Sequence, residues 1–469
     1  MLFTSSVAVI GGGPAGVCAA IAAVQNGLGV DPSKGAVTLI EKKAYKSDRM
    51  ISQEKVCAGF VPESGLRLME KLGIPWRDFP HEKLTNMVFG NRGHVALDDP
   101  RKLTPFHPHR GLVETPDINL GAVFGRDTFD PGLVNYARQL GVNVLTNVSV
   151  SDVLPARDGF VILRKGRGGQ HADIVGTARM VSGAYGANIM LGRKFAAIMG
   201  NHDRFPPAGK GMGRDMGMGY AYRAYTQDPL HSSQVFGNAM FCYGFNYPSV
   251  NQLSSGYLWS VPTPNGINFG VMGFDYGRAT LFNTIDFKTM FPQYYHFEHG
   301  KQKHKCTKKR GAPLPMWEAG SVREIALGSN KTAIGIVGDA AGYVDPLTGE
   351  GIQQGMQSGA NMGAAMAQAI VSGSMKPVED LARDIPQSQG HKQRKASHFL
   401  AKHFIRKPEL LHLLLDTLKQ HPHFGRVIND YITHRQLKSY LKDPRIMSLA
   451  VALIKEAKIR EVFWEMVTI

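Results

Sequence analysis

The sequence predicts an α/β protein in which helices pack on a largely parallel sheet. Two stretches carry this prediction, residues 7–23 and 332–369. Each runs from a short apolar segment through a glycine-rich turn into small residues typical of a helix. Residues 218–271 alternate aromatic and other side chains, which indicates an inserted antiparallel sheet. With 469 residues, the chain is long enough for two or three domains and a large core.

The N-terminal glycine loop follows a short β-rich run, residues 7–10. Three of its glycines match the pattern GxGxxG. The first allows a tight turn, the second lets a pyrophosphate approach the backbone, and the third lets helix and strand pack closely. The sequence therefore predicts a Rossmann-type dinucleotide site, with these residues at the phosphates: Gly11, Gly13, Pro14, Ala15 and Gly16.

An acidic residue stands at the end of the next predicted strand. Residues 37–40 form that strand, and Glu41 follows where an acid that binds a ribose is expected. The spacing from the glycine loop is longer than usual, and the polar insertion at residues 31–35 accounts for the excess. Glu41 and the adjacent Lys42 are therefore predicted cofactor contacts.

A second glycine-rich motif, residues 338–352, lies between a buried strand and a helix. Asp339 offers a carboxylate for sugar or ribityl hydroxyls, and the turn and helix N-terminus offer backbone N–H groups to an anion. FAD needs such a second site, because its isoalloxazine and ribityl chain extend well beyond the ADP half, so FAD is favoured over a nicotinamide. The predicted contacts here are Gly338, Asp339, Pro346, Gly349, Gly351 and Ile352.

The charge balance suggests anionic partners. Lys and Arg outnumber Asp and Glu by 54 to 38, which gives a net charge of +16. Phosphates, lipid headgroups or nucleic acid would fit this surplus, and so would a merely solvated surface. Residues 390–469 hold 15 basic and 7 acidic residues in a helical pattern, which favours a C-terminal helical domain that can lie on lipid. The basic run at residues 301–310 fits either a solvated loop or a diphosphate clamp.

Cysteine usage and hydropathy limit the class of protein. The four cysteines lack CxxC spacing, which argues against zinc or iron–sulfur sites and fits a reducing cytoplasm. We expect no metal. The apolar run at residues 449–454 is too short to span a bilayer, so the chain is expected to lie on a membrane at most.

Two further segments carry chemistry-bearing residues. Lys55 to Gly59 places Cys57 between a lysine and a glycine turn, where it is either a reactive thiol or a packing residue. Arg126 to Asp130 opens a predicted helix that runs through Leu140, and a strand is predicted to follow from Asn143 to Val150.

Taken together, these motifs resemble the geranylgeranyl reductase family of flavoproteins, within the group that has the p-hydroxybenzoate hydroxylase fold. The segments that match are residues 11–16 with Glu41, 55–59, 126–130, 257–262 and 338–352. The resemblance implies that Lys55, Cys57, Ala58 and Arg126 lie at FAD, with Cys57 facing the flavin. Ser182-Gly183 stands where many relatives carry Asp-Gly, so the electron donor is left open among NADPH, ferredoxin and a flavin reductase.

The function implied is an FAD-dependent reductase that saturates C=C double bonds of a polyisoprenoid lipid or diphosphate. Cys57 is the predicted proton donor, and Tyr257 and Trp259 are predicted to line a substrate tunnel over the flavin. Two alternatives stay open, namely a flavin-dependent monooxygenase or halogenase and a non-catalytic flavin-bearing lipid-binding protein. We expect an isoprenoid or lipid substrate, an electron donor and a membrane surface as partners, no nucleic acid, and a cytoplasmic location.

The predicted domain organisation has three parts. Residues 1–79, 112–198 and 325–388 form the FAD-binding domain, residues 80–111 and 199–324 the substrate domain, and residues 389–469 a helical C-terminal domain.

Overall fold

The computed structural model describes residues 2–29, 36–46, 49–50, 55–91, 113–114, 119–166, 172–200, 218–226, 239–247, 253–264, 266–273, 307–315, 324–328, 330–345 and 348–406. These residues form two large sheets, two small sheets and a set of helices. The α-helices are α1 Pro14–Gln25, α2 Glu63–Lys71, α3 Arg126–Gln139, α4 Ile189–Met199, α5 Ile352–Ser372, α6 Lys376–Asp384 and α7 Gln389–Arg406.

The first large sheet is the framework of the cofactor-binding half. Its strands are β1 Phe3–Ile10, β2 Val37–Ile40, β10 Asn143–Leu145, β11 Val150–Ala156, β12 Gly159–Lys165, β13 Ala172–Gly183, β19 Ile325–Leu327 and β20 Ala333–Ile336. Parallel pairing joins β10 to β2, β2 to β1, β1 to β13 and β13 to β20, while β11, β12 and β19 pair antiparallel. The predicted α/β class is confirmed.

One predicted strand is wrong in its extent. The sequence suggests a single strand from Asn143 to Val150, but the structure divides it between β10 and β11. Asn147 lies between them with a φ of 60°, a left-handed conformation that asparagine tolerates better than most residues. The chain therefore pairs with β2 through β10, turns at Asn147, and then pairs with β12 through β11.

Helix α1 is buried on nearly all sides and packs closely on α5. The contact is made by glycines four residues apart on α5: Gly355, Gly359 and Gly363. A Cβ on Gly359 would collide with the carbonyl oxygen of Ala15, and one on Gly363 with that of Ala19. These glycines let the two helix backbones approach, which brings the start of α1 beside the start of α5.

The second large sheet has the order β18, β14, β17, β16, β15, β7 and β8. Its strands are β7 Asn86–Asn91, β8 Val113–Glu114, β14 Met218–Thr226, β15 Ala239–Tyr247, β16 Leu253–Thr263, β17 Gly266–Gly273 and β18 Thr307–Pro315. All neighbours pair antiparallel except β15 and β7, which are parallel. The inserted antiparallel sheet of the sequence prediction is thus present, with one parallel pair.

The small sheets connect these parts. A three-stranded antiparallel sheet has β9 Gly121–Phe124 between β5 Phe60–Pro62 and β6 His81–Leu84, and β3 Tyr45–Lys46 pairs with β4 Arg49–Met50. The predicted domain limits stay a prediction. In the pairing observed, β8 joins the second large sheet and β6 joins β9.

Among the described residues, none of the helices has the length and apolar character required to cross a bilayer. Residues 407–469, most of the predicted C-terminal domain, lie outside the described part, as does the basic run at residues 301–306.

Candidate functional site

The glycine loop connects β1 to α1. Gly11 has a φ of +116°, and a Cβ there would run into the carbonyl of Ala184, whereas a Cβ on Gly16 would run into that of Gly11. Gly13 is different, because its α-carbon faces the ammonium Nζ of Lys55 rather than backbone. The loop therefore leaves an open face at the N-terminus of α1, lined by N–H groups and one cation, which suits an anion.

Glu41 lies directly against this loop. Its carboxylate accepts hydrogen bonds from Gly12 N at 2.6 Å and from Lys43 N at 2.7 Å, and the side chain is buried. The carboxylate is thereby fixed at the end of β2, beside the glycine loop. The adjacent Lys42, predicted as a contact, is exposed.

Lys43 was missed by the sequence prediction. Burial lowers its pKa to about 8, and the nearby Lys55 cation adds to this effect, while Asp130 and Glu41 oppose it. The charges of Lys43 and Lys55 therefore act on each other, and Lys55 Nζ faces Gly13. Their mutual repulsion favours an anion between or beside them.

The second glycine motif meets the first one through α1. Residues Gly338–Ala341 form a 3₁₀ turn after β20, and Gly338 N donates to Ser358 Oγ of α5 at 3.0 Å. A Cβ on Gly338 would stand 2.7 Å from the Cβ of Ala15. Burial raises the pKa of Asp339, and the Lys55 and Arg126 cations oppose this shift. The Asp339 carboxyl therefore shares an electrostatic environment with residues of the N-terminal half.

The loop after this turn leads to the N-terminus of α5. Asp345 is buried, and its Oδ1 accepts from Thr348 N at 2.9 Å. Gly349 has a φ of +69°, and Gly351 precedes Ile352, the first residue of α5. Pro346 lies outside the described residues.

Helix α7 supports this loop from the other side, which the sequence did not suggest. Ser397 Oγ donates to Asp345 Oδ2 at 2.6 Å. Arg394 is 2% exposed, lies 3.9 Å over the ring of Tyr343 and donates to Gln354 Oε1 at 3.1 Å. Arg394 therefore does not belong to the basic surface that residues 390–469 were expected to offer to lipid, because its guanidinium is buried against the loop.

Cys57 lies at the turn between Lys55 and β5. Its Sγ accepts from Gly59 N at 3.3 Å and lies within electrostatic range of the Arg126 guanidinium. Arg126 is itself buried and bonds both carboxylate oxygens of Asp130, at 2.8 and 3.1 Å. Burial works to lower the pKa of Arg126, but Asp130 and Cys57 more than offset it, so the pKa is raised. The positive charge of Arg126 therefore acts on the sulfur.

Trp259 and Tyr257 both lie on β16. Trp259 is 4% exposed, and its Nε1 donates to Asn268 Oδ1 of β17 at 3.1 Å. The side chain of Tyr257 lies outside the described part of the structure. The predicted tunnel roles of both residues stay predictions. Asn268, which the sequence analysis did not single out, links Trp259 to the Cys57 segment.

The described residues fit the two ends of an FAD molecule. A Cβ on Gly13 would collide with Lys55 Nζ, so the lysine ammonium can lie against this loop only because the residue is glycine. Gly338, next to Asp339, and Gly355 of α5 lie against Ala15 near the start of α1, and the Lys55 cation acts on Asp339. Within the described ranges, no group of three or more His, Cys, Asp and Glu side chains is arranged to hold a metal ion.

The chain is similar to several solved structures. A geranylgeranyl bacteriochlorophyll reductase-like protein from Thermoplasma acidophilum shares 17% identity with a TM-score of 0.64, and the match covers 99% of each chain. A flavoprotein/dehydrogenase from Cytophaga hutchinsonii shares 17% identity with a TM-score of 0.60 over 95% of each chain. A flavin-dependent brominase shares 15% identity with a TM-score of 0.59 over 97% of this chain and 100% of its own. The chain shares the fold of these structures.

At these identities, the likeness concerns the fold. No family model matches the sequence, and no curated protein matches it. The descriptions of the similar structures include a reductase-like protein, a dehydrogenase and a halogenating enzyme on one fold. The choice among these activities therefore depends on the residues of this chain.

Proposed function

We propose that this chain is an FAD-dependent oxidoreductase, and more narrowly a reductase that saturates C=C double bonds of a polyisoprenoid lipid or diphosphate. The observation that carries the proposal is the position of Cys57. Its thiol accepts a hydrogen bond from Gly59 N–H and lies within electrostatic range of the Arg126 guanidinium, and the same short segment places Lys55 Nζ at Gly13. One segment thus contributes both a cation to the anion-binding loop and a proton donor nearby.

FAD would be held by the two glycine motifs. The loop of Gly11, Gly13 and Gly16, with Lys55, would hold the diphosphate, and Glu41 the ribose. Asp339 and the N-terminus of α5 would hold the ribityl chain and flavin. Bound FAD supplies hydride chemistry, with electrons replenished by NADPH, ferredoxin or a flavin reductase.

The protein's own contribution is a side chain that delivers a proton to the alkene. An isolated alkene is unpolarised, so the carbon that does not take the hydride must receive a proton. We assign this proton to Cys57 Sγ. A prenyl chain contributes about 0.8 kcal/mol per buried methylene, so an apolar channel would hold it with few polar contacts. Holding the alkene within about 3.5 Å of the reacting atoms provides much of the rate.

The test is anaerobic incubation of the chemically reduced holoenzyme with geranylgeranyl diphosphate and with a geranylgeranyl lipid. Mass spectrometry should then detect products that carry two extra hydrogen atoms for each saturated bond. A product that instead gains oxygen or bromine in aerated, bromide-containing buffer would favour the monooxygenase or halogenase alternative, which the similarity to a brominase supports. Absence of turnover in every condition would favour a flavin-bearing lipid-binding protein.

Trp259→Ala is expected to lower the free energy of unfolding by about 3–5 kcal/mol, because it leaves a cavity at a buried position. Trp259→Phe keeps most of the volume and loses the hydrogen bond to Asn268, so a loss of about 1 kcal/mol is expected. Urea unfolding of both variants checks the difference. If Trp259→Ala unfolds at the wild-type urea concentration, the indole is not a core element.

Charge reversal on α7 is expected to weaken binding to anionic vesicles. Lys392 and Lys395 are exposed, unlike Arg394, so Lys392→Glu with Lys395→Glu is the suitable pair. Each basic residue near such a surface contributes about 1 kcal/mol at low salt, and the effect fades as salt is added. Co-sedimentation with phosphatidylserine vesicles measures it.

The matched control reverses two charges elsewhere, Arg157→Glu with Lys165→Glu, which are exposed residues of the β11–β12 hairpin. These changes alter the net charge equally. Equal loss of vesicle binding in both pairs, or no binding by the wild type, would contradict a role of α7 at membranes.

A further inference from the structure

The side-chain amide of Asn268 bridges the two halves of the molecule. Asn268 lies on β17 and is 1% exposed. Its Nδ2 donates to the backbone carbonyl oxygens of Cys57 at 2.8 Å and Ala58 at 3.1 Å, across more than 200 positions of sequence. Its Oδ1 accepts from Trp259 Nε1 at 3.1 Å. Both N–H donors and the oxygen of the amide are therefore used.

The hydrogen-bond partners of Asn268 determine the orientation of its amide, that is, which terminal atom is the oxygen and which is the nitrogen. An indole N–H can only donate, so the atom that faces Trp259 must be the amide oxygen. The two carbonyl oxygens can only accept, so the atom that faces them must be the nitrogen. Trp259 thus orients the amide, and the amide in turn holds two consecutive peptide groups.

The register of the sheet places Trp259 and Asn268 together. Trp259 lies opposite Gly270, and Val261 lies opposite Asn268. Trp259 and Asn268 are therefore diagonal neighbours on one face of the sheet. Because Gly270 has no side chain, nothing opposite the indole competes for that space.

The Cys57 segment is also held at its other end. Gly59 has a φ of +81°, and its carbonyl accepts from Phe124 N at 2.9 Å. A side chain at Gly59 would collide with the carbonyl of Phe124. With Gly59 fixed against β9, the hydrogen bonds from Asn268 fix the remaining peptide groups, and the direction of the Cys57 side chain follows from them.

We propose that Asn268 is a positioning residue for Cys57, fixing the thiol through the two carbonyls and itself oriented by Trp259. This inference rests on the proposed function at one point only: the proposed function gives the fixed thiol its task, which is proton delivery. It assigns the buried Trp259 a role that acts through Asn268 rather than through direct contact with substrate.

Asn268→Asp is the sharpest variant. The carboxylate has nearly the same shape and can still accept from Trp259, but it has no N–H to donate and repels both carbonyls. We expect FAD to be retained and kcat to fall about tenfold or more with little change in KM, because misplacement of a reacting group by about 1 Å is costly.

The second readout does not depend on turnover. The holoenzyme is treated with iodoacetamide, and alkylation of Cys57 is followed by peptide mass spectrometry. A released segment lets the thiol leave Gly59 N–H and Arg126, so alkylation in Asn268→Asp should be about threefold faster or more than in the wild type. Trp259→Phe keeps both N–H donors of Asn268 but loses the indole N–H that orients the amide. Its rate of Cys57 alkylation should therefore increase less.

Ile267→Ala is the matched control. Ile267 is the neighbouring buried residue on β17, and its truncation lowers stability without removing a hydrogen bond to the Cys57 segment. It should leave the alkylation rate within about twofold of the wild type.

Equal alkylation rates in wild type, Trp259→Phe and Asn268→Asp would overturn the inference, as would equal acceleration in Ile267→Ala. If Asn268→Asp does not fold, the alkylation rates of Trp259→Phe and Ile267→Ala test the inference, which requires faster alkylation of Cys57 in Trp259→Phe. If the wild type reduces no alkene but the alkylation pattern holds, the proposed function fails and the positioning role stands.

Discussion

Gly13→Val is expected to yield a folded protein without FAD. In the structure a side chain at Gly13 meets Lys55 Nζ, the end of a flexible side chain that can move aside. Folding should therefore survive. A diphosphate, however, must approach the backbone where the valine methyl groups would stand. The purified variant should be colourless, with its absorbance at flavin wavelengths at background and its circular dichroism unchanged.

Two other glycines provide the contrast. Gly16→Val would push a side chain into the carbonyl of Gly11, and backbone cannot move aside, so this variant should fail to fold. Gly200 ends α4 with a φ of +74° and open space around it, so Gly200→Ala should cost about 1 kcal/mol of stability and keep full FAD content. A yellow Gly13→Val protein with stoichiometric FAD would remove this loop from the diphosphate site.

The parts that the sequence predicted well are those specified by local pattern. The β1 strand, the glycine loop and α1 follow one another within a short stretch, and each glycine has a steric reason visible in the pattern itself. The helix predicted at residues 355–369 is observed as Ile352–Ser372, because its alanine and methionine residues are good helix formers. The strand predicted for residues 143–150 failed, since nothing in an apolar alternation indicates that Asn147 turns the chain.

The parts that sequence reasoning missed depend on contacts between distant segments. Arg394 carries the same charge as Lys392 and Lys395, and only the packing of α7 on Tyr343 distinguishes a buried guanidinium from exposed ammonium groups. Asn268 did offer a signal. The short connection between β16 and β17 sets their register, and that register places Asn268 diagonal to Trp259. The hydrogen bonds to Cys57 and Ala58 have no sequence signal, because they join β17 to a turn more than 200 residues earlier in the chain.

Cys57→Ala is expected to retain FAD and to lower kcat for alkene reduction by about 10²-fold to 10⁴-fold, the usual contribution of a positioned general acid. Alanine leaves the carbonyls of residues 57 and 58 available to Asn268, so the segment should keep its shape. Cys57→Ser should keep a small part of the rate, because a hydroxyl can donate a proton but is a weaker acid than a thiol. Turnover per bound FAD, measured with the prenyl substrate, gives the comparison.

Cys18 provides the matched control for loss of a sulfur. It is buried in α1, and burial raises the pKa of its thiol to about 12, so it has no acidic role. Cys18→Ala should lower stability and leave turnover per bound FAD unchanged. Equal turnover in wild type, Cys18→Ala and Cys57→Ala would make Cys57 a packing residue and leave the protonation to another group.

The product itself can identify the source of the proton. In deuterium oxide the thiol of Cys57 exchanges, so the wild type should place one deuterium, in a single configuration, on the carbon that does not take the hydride. A fixed donor approaches the alkene from one side only, whereas water that replaces it in Cys57→Ala can approach from more than one direction. The residual product of that variant should therefore contain both configurations at this carbon. A slow variant whose product keeps one configuration would mean that another fixed group delivers the proton, and that Cys57 affects the rate only through packing.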